Sequence, residues 1–314
     1  MIKINNLNVR FKNVHAVRGV NLEIKEGETV AIVGESGSGK SALAKSLVKL
    51  FPKKTAEFSG EVIYNGKNIL EFSEKELRKV RGKEIGMIFQ DPMTSLNPLL
   101  TVGFQIRESY LRHFPEKSRK DAVKRTEELL DLVGIPKDRM DHYPHTLSGG
   151  MRQRALIALA LAASPKLLIA DEPTTALDVT LQAQILDLLK DIQQKLDMSI
   201  LLITHDLSVV AGFCDRVLVM YAGKIIESAP VDQIFETPQH PYTRRLLLSK
   251  PRLDMPQNEP LHPIEGTPPD LGKSITGCSF CPRCTDSIQA CKNESPPIFT
   301  ITPGHTTSCW LSTK

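Results

Sequence analysis

Residues 34–41 read GESGSGKS, and their glycines, lysine and serine fall at the spacing G-x-x-x-x-G-K-S. Glycines let backbone N–H groups converge on phosphate oxygens, and a following helix N-terminus adds partial positive charge. A lysine there neutralises the outer phosphates and a serine hydroxyl joins a Mg²⁺ shell. Gly34, Glu35, Ser36, Gly37, Ser38, Gly39, Lys40 and Ser41 are therefore candidate nucleotide-binding residues, with Ser41 also a metal ligand. The apolar run LLIADEP, residues 167–173, ends in two carboxylates. Side chains alternate faces along a strand, so Asp171 and Glu172 are expected to diverge and divide the work. Asp171 enters the Mg²⁺ shell; Glu172 orients and polarises the attacking water. A third group, LSGGMRQR at residues 147–154, sets Ser148, Gly149 and Gly150 at the start of an apolar helix. That is a second phosphate-binding helix N-terminus in a chain whose single site needs one. Gln90 and His205 close two further apolar runs, IGMIFQ and SILLITH, and each by itself reads as structural as readily as catalytic.

The other reactive residues are cysteines. GCSFCPRCTDSIQAC, residues 277–291, holds four of the six in the chain, with Cys309 beyond it. The spacing is Cys278-x5-Cys284-x6-Cys291-x17-Cys309, with Cys281 between the first two. Four thiolates suit tetrahedral Zn²⁺, with His305 as a substitute ligand. CSFCPRC also begins like the C-x2-C-x2-C run of ferredoxins but lacks its continuation. Cys214, beside an expected strand, reads as a buried thiol.

These groups need a scaffold, and the hydrophobic pattern supplies one. From Met1 to about Lys250, β-branched runs (ETVAIVG, EIGMIFQ, KLLIADE, SILLITH, DRVLVMY) alternate with helix-period segments (SALAKSLVKL, KRTEELLDLVG, LQAQILDLLKDIQQKL). That alternation predicts an α/β domain with a mostly parallel sheet over residues 1–250. Six prolines between Pro251 and Pro269 then break the pattern, so residues 251–314 read as a linker and a small cysteine-rich region. A net charge of +4 gives no pull toward nucleic acid or anionic lipid. The start, MIKINNLNVRFKNV, lacks the apolar stretch of a secretory signal, and ALIALALAASP is too short to span a bilayer, so the chain is read as cytoplasmic. In a reducing compartment the cysteines are metal ligands or buried thiols rather than disulfides.

The phosphate loop, the carboxylate pair and LSGGMRQR together resemble the ATP-binding cassette (ABC) ATPases, with LSGGMRQR similar to their signature motif. The resemblance implies a P-loop ATPase core with an inserted helical subdomain, about residues 91–160. It implies that two cassettes pair head to tail, each signature (Ser148, Gly149, Gly150) completing the other's phosphate loop. It further implies that Gln90 ligates Mg²⁺ and senses the membrane subunit, that ALD at 176–178 forms a D-loop through Asp178, that His205 is a switch near the γ-phosphate, and that Phe11 stacks on adenine.

Longer stretches, including GMIFQDPMTSLNPLLTVGFQI, IADEPTTALDVT and FETPQHPYTRRLL, resemble the D-type ATPase subunit of bacterial dipeptide/oligopeptide importers over essentially the whole chain. That closer resemblance implies an ATPase at the cytoplasmic face of the cell membrane, held there by partners. The partners are a second ATPase (F-type, or a second copy), two permease subunits whose coupling helix meets residues 91–110, and indirectly an extracytoplasmic binding protein. The tail pattern implies a 4Fe–4S cluster on Cys278, Cys284, Cys291 and Cys309, with Zn²⁺ as the alternative; Cys281 is a departure from the family pattern. A rival reading, an ABC ATPase acting on nucleic acid, requires two cassettes or a long coiled coil and a basic stripe, none of which the sequence carries. HPYTRRLL and the cysteine tail disfavour an exporter.

Overall fold

The apolar runs TVAIV, IGMI, LLIAD, SILLIT and RVLVMY form strands, and the helices beginning at Glu74, Val102, Arg119, Gly149 and Val179 each open on a side chain that caps them. In a computed structural model of the chain, residues 1–52, 55–91, 95–175, 177–249 and 263–313 are described. The elements are β1 (Ile2–Phe11), β2 (Val14–Ile24), β3 (Thr29–Val33), α1 (Lys40–Ser46), β4 (Glu57–Tyr64), β5 (Lys67–Asn68), α2 (Glu74–Val80) and β6 (Ile85–Ile88). They continue as α3 (Val102–His113), α4 (Arg119–Leu132), α5 (Gly149–Ala160), β7 (Leu167–Asp171), α6 (Val179–Leu196), β8 (Ser199–Thr204), β9 (Arg216–Tyr221) and β10 (Lys224–Pro230). The chain closes with α7 (Val231–Glu236), α8 (Pro241–Leu248), α9 (Gln289–Asn293), β11 (Phe299–Thr302) and β12 (His305–Thr307). The proline-rich stretch at 251–262 and Ala176 of the ALD segment lie outside the described residues.

Two compact units result: Met1–Glu23, Val30–Leu70 and Thr204–Lys314 form the first, and Ile24–Thr29 with Glu71–Ile203 the second. In the first, β1 pairs antiparallel with β4 and β4 with β5. β3 pairs parallel with β9, from Val30↔Arg216 to Val33↔Val219, and every β3 residue is buried, as a strand covered on both faces requires. β9 pairs antiparallel with β10, β10 with β12, and β12 with β11. The last two strands belong to the cysteine-rich tail, so the tail is built onto this unit's sheet through Glu227↔Thr307 and Ser228↔Thr306.

In the second unit β6, β7 and β8 run parallel. The helices beside them show why the local sequence stops and starts where it does. Ser118 and Asp121 form a reciprocal capping box at the head of α4, Thr101 caps α3, and Asp178 caps α6. α6 buries Ile185, Leu186, Leu189 and Ile192, one stripe at helical spacing. No helix among the described residues is long and apolar enough to cross a membrane.

Candidate functional site

β3 delivers the chain into the phosphate loop of the first unit, and α1 begins at Lys40 directly after it. Gly39 has φ of 102°, and a Cβ there would stand 2.2 Å from the Ala16 carbonyl oxygen, so only glycine fits at the turn into the helix. Lys40 is 5% exposed, and its Nζ donates to the carbonyls of Gly34 at 2.8 Å and Glu35 at 3.0 Å. Ser38 Oγ is buried with no hydrogen-bond partner among the described residues. An orphaned hydroxyl in a glycine loop fits an incoming phosphate oxygen, because a buried polar atom left unpaired is costly. Ser41 follows Lys40 within α1, where its hydroxyl is a hard oxygen donor of the kind Mg²⁺ takes. Phe11, at the end of β1, is half-buried and packs edge-on against Phe51 at 5.0 Å. His205 lies just past β8 and is exposed.

The carboxylate pair belongs to the second unit. Asp171 is the last residue of β7 and 2% exposed. Glu172 follows outside the strand and is half-buried, so it does not continue the pleat. Its backbone enters the left-handed region at φ of 50°, uncommon for a residue with a side chain, while its N–H donates to Ile203 at 2.9 Å. The side chain is then fixed twice at one oxygen: Gln90 Nε2 donates to Glu172 Oε2 at 2.9 Å, and Thr175 Oγ1 donates to the same atom at 3.0 Å. The sequence brought Gln90 and Glu172 forward separately; the fold pairs them. Thr175 was missed, and the signal for it was its place three residues after Glu172.

LSGGMRQR forms the start of α5. Ser148 is its N-cap and accepts from the Met151 N–H at 3.3 Å, with Ser148 and Gly149 exposed and Gly150 buried beside Leu181 of α6. Arg152 and Arg154 tie the helix down by donating to the carbonyls of Pro144 at 2.8 Å and Val133 at 2.7 Å. Asp178 accepts from the Leu181 N–H at 2.9 Å, so the aspartate of the D-loop segment is itself a helix cap.

In the first unit, Cys278, Cys281, Cys284, Cys291 and Cys309 line one cavity together with His240 and Phe280. All are free thiols, as is buried Cys214. Burial pushes the thiols of Cys278 and Cys309 up and that of Cys284 up to about 11, so without a cation they stay protonated at neutral pH. No group of three or more His, Cys, Asp or Glu among the described residues is arranged to hold a metal ion. His305, a substitute zinc ligand on sequence grounds, is engaged elsewhere: Nε2 meets Glu227 Oε1 at 2.8 Å and Nδ1 meets Gln233 Oε1 at 3.1 Å. His240 was not anticipated. Its Nδ1 accepts the Tyr242 N–H at 3.0 Å, burial pushes its pKa down to about 3, and its Nε2 has no partner among the described residues. With Nδ1 accepting, the proton sits on Nε2, and a buried donor left without an acceptor costs about 1–3 kcal/mol. The five thiols thus share one cavity with His240, but among the described residues they are not drawn together as a ready metal-binding set.

Comparison with known proteins agrees with this architecture. Residues 17–175 match the family model described as ABC transporter, and residues 226–291 match that described as Oligopeptide/dipeptide transporter, C-terminal region. The chain is 53% identical to the oligopeptide transport ATP-binding protein OppD of Bacillus subtilis (strain 168), covering 99% of this chain and 88% of that protein. It is 51% identical to the dipeptide transport ATP-binding protein DppD of the same organism, covering 99% and 94%. Among solved structures, an ATP-binding cassette in a dimeric post-hydrolysis state with ADP and Pi is similar at 32% identity and a TM-score of 0.66, covering 74% of this chain and 99% of that one. cbiO1 from Clostridium perfringens is similar at 32% identity and a TM-score of 0.67, covering 76% and 91%. A phosphate loop, a held glutamate and a capped signature helix thus accompany close likeness over nearly the full length, and the chain belongs to the ABC transporter ATP-binding proteins that carry an oligopeptide/dipeptide transporter C-terminal region.

Proposed function

We propose that this chain is the ATP-hydrolysing subunit of an importer of peptides, dipeptides or oligopeptides. The observation that carries hydrolysis is Glu172, whose carboxylate Gln90 and Thr175 both hold at Oε2, fixing a general base directly after β7. The peptide class rests on OppD and DppD, named for oligopeptide and dipeptide transport. In this reading residues 34–41 cradle the phosphates and Phe11 stacks on adenine. Ser41, Gln90 and Asp171 ligate Mg²⁺, and His205 contacts the γ-phosphate. Residues 1–250 are the ATPase domain, with a helical subdomain at about 91–160 that meets a permease through residues 91–110; residues 251–314 form the linker and cysteine-rich region. The subunit sits at the cytoplasmic face of the membrane with two permeases, served by an extracytoplasmic binding protein.

Pairing is the part of this reading open to direct test. Ser148 and Gly149 stand exposed at the N-terminus of α5, a disposition that suits phosphates of another chain. The lone chain is therefore a poor ATPase, and co-purification with its permeases and either an F-type ATPase or a second copy raises turnover, further stimulated by the peptide cargo. Ser148→Arg abolishes that gain and leaves nucleotide affinity of the isolated chain intact. Equal turnover by the lone chain and the complex sinks the composite site.

We further propose that Cys278, Cys284, Cys291 and Cys309 hold a 4Fe–4S cluster, as the family pattern implies, with Zn²⁺ the competing occupant. The group supplies cross-links to a tail too small for much core of its own. His240, which lines the same cavity with an unpartnered Nε2, would offer such a group a hydrogen-bond donor. Anaerobic purification with iron, sulfide and zinc analysis decides: about four irons and sulfides per chain are expected, and stoichiometric zinc without iron overturns the cluster. Cys281→Ala keeps its full iron content if the fifth cysteine is not a ligand.

A further inference from the structure

Between Cys281 and Cys284 the tail makes one tight helical turn, and its last residue, Arg283, reaches the phosphate loop. A guanidinium has five N–H donors. Here Nη1 donates to Glu35 Oε2 at 2.7 Å and Tyr221 Oη at 3.2 Å, and Nη2 to Glu35 Oε1 and the Ile264 carbonyl, each at 3.0 Å. Nε donates to the Glu265 carbonyl at 2.8 Å, so every donor has an acceptor. The side chain is 4% exposed, against 27% for Glu35. Two parallel bonds from a planar fork fix a carboxylate in both position and orientation, which a single point charge does not.

Glu35 is the second residue of the phosphate loop, and its other groups are held as well. Its N–H donates to Tyr242 Oη at 2.9 Å, and its carbonyl accepts from Lys40 Nζ at 3.0 Å and the Ser38 N–H at 3.2 Å. Tyr242 comes from the HPYTRRLL segment, which the phosphate chemistry left without a task. Phe280, three residues before Arg283, packs edge-on against both Tyr221 and Tyr242 with ring centroids 5.3 Å away in each case. The cysteine turn is thus joined to the loop by a buried aromatic cluster and by a forked ion pair 248 residues apart in sequence.

We propose that Arg283 is a positioning residue for nucleotide binding: it holds Glu35 in place and neutralises its carboxylate, so that the shape and charge of the phosphate loop depend on the folded cysteine module. The charge matters because MgATP arrives as an anion, and an uncompensated carboxylate in a partly buried loop repels it. The position matters because Glu35 lies between Gly34 and the N–H groups that cradle phosphate. The tail thereby acquires a task at the nucleotide site: the turn from Cys281 to Arg283 and the packing of Phe280 set where the guanidinium stands. The inference rests on residues 34–41 binding phosphate, and the experiment separates the two.

Affinity for Mg-AMP-PNP is measured by calorimetry on the full chain for the wild type, Lys40→Ala, Arg283→Met, Arg283→Lys, Glu35→Gln and the pair Arg283→Met/Glu35→Gln. Arg283→Met weakens binding roughly ten-fold, an ordinary size for coupled sites. Arg283→Lys recovers part of the loss, since it restores charge without the fork. Adding Glu35→Gln to Arg283→Met returns affinity to that of Glu35→Gln alone, an effect that repair of a misfolded tail does not produce. Wild-type affinity in both Arg283 variants, or additive losses in the pair, overturns the proposal. If Arg283→Met is insoluble, Arg283→Lys decides, a several-fold loss supporting the proposal and unchanged affinity overturning it. Wild-type affinity in Lys40→Ala removes the phosphate-loop reading itself; loss there beside an unaffected Arg283→Met removes only the role of Arg283.

Discussion

Glu172→Gln lowers ATP turnover of the assembled transporter by roughly 10²–10⁴-fold, the range for losing a general base, while nucleotide still binds. The substitution is informative because of how the side chain is held. Gln90 Nε2 and Thr175 Oγ1 both donate to the same oxygen, Oε2. An amide oxygen at that place accepts both bonds, so the geometry survives and only the second oxygen, the one that would take a proton from water, is replaced by a group that cannot. ATP-loaded dimers accumulate as a consequence, visible as a shift in size-exclusion chromatography with ATP and Mg²⁺. Wild-type turnover in this variant would falsify the assignment of Glu172. A parallel Thr175→Val, which removes one of the two anchoring bonds and keeps the carboxylate, loses turnover by a smaller factor because the base is present but less firmly aimed.

Lys40→Ala acts on binding instead of chemistry. Nucleotide affinity falls at least about 30-fold, the equivalent of the ~2 kcal/mol lower bound for truncating one partner of a buried, hydrogen-bonded charge pair. In the structure Nζ rests on the carbonyls of Gly34 and Glu35, acceptors already at hand, so the ammonium is stored beside the phosphate site inside the loop it serves. Truncation to alanine removes that fixed counter-charge and two hydrogen bonds to the loop. Equilibrium titration with a fluorescent ATP analogue reads the loss; unchanged affinity removes the phosphate-loop assignment.

Local chemistry was legible in the sequence wherever one short stretch performs it. The phosphate loop works through consecutive backbone N–H groups at a strand–helix junction, so its glycines, lysine and serine had to be contiguous, and β3 and α1 stand on either side of it. The five apolar runs became β3, β6, β7, β8 and β9 for the same reason: burial on both faces leaves a signal in adjacent residues. Ser148 was recognisable as the residue at a helix start, and it is the N-cap of α5.

What the sequence could not disclose is every contact whose two halves are far apart in the chain. Gln90 meets Glu172 across 82 residues, Tyr242 meets Glu35 across 207, and Arg283 meets Glu35 across 248. The tail read as a separate appendage, yet β12 pairs with β10 and Phe280 is buried against Tyr221 and Tyr242. His240 stood in the HPYTRRLL stretch with no role of its own; its unpartnered Nε2 in the cavity lined by five cysteines depends on which nitrogen the Tyr242 N–H chooses. The sequence by itself determined the phosphate loop, the acidic strand end and the signature helix, because periodicity and motif spacing record what neighbouring residues do. Only the tertiary structure decided which side chains hold those groups still, because such partners are selected by packing and by the need to satisfy buried charge, and neither leaves a mark on the residues next in line.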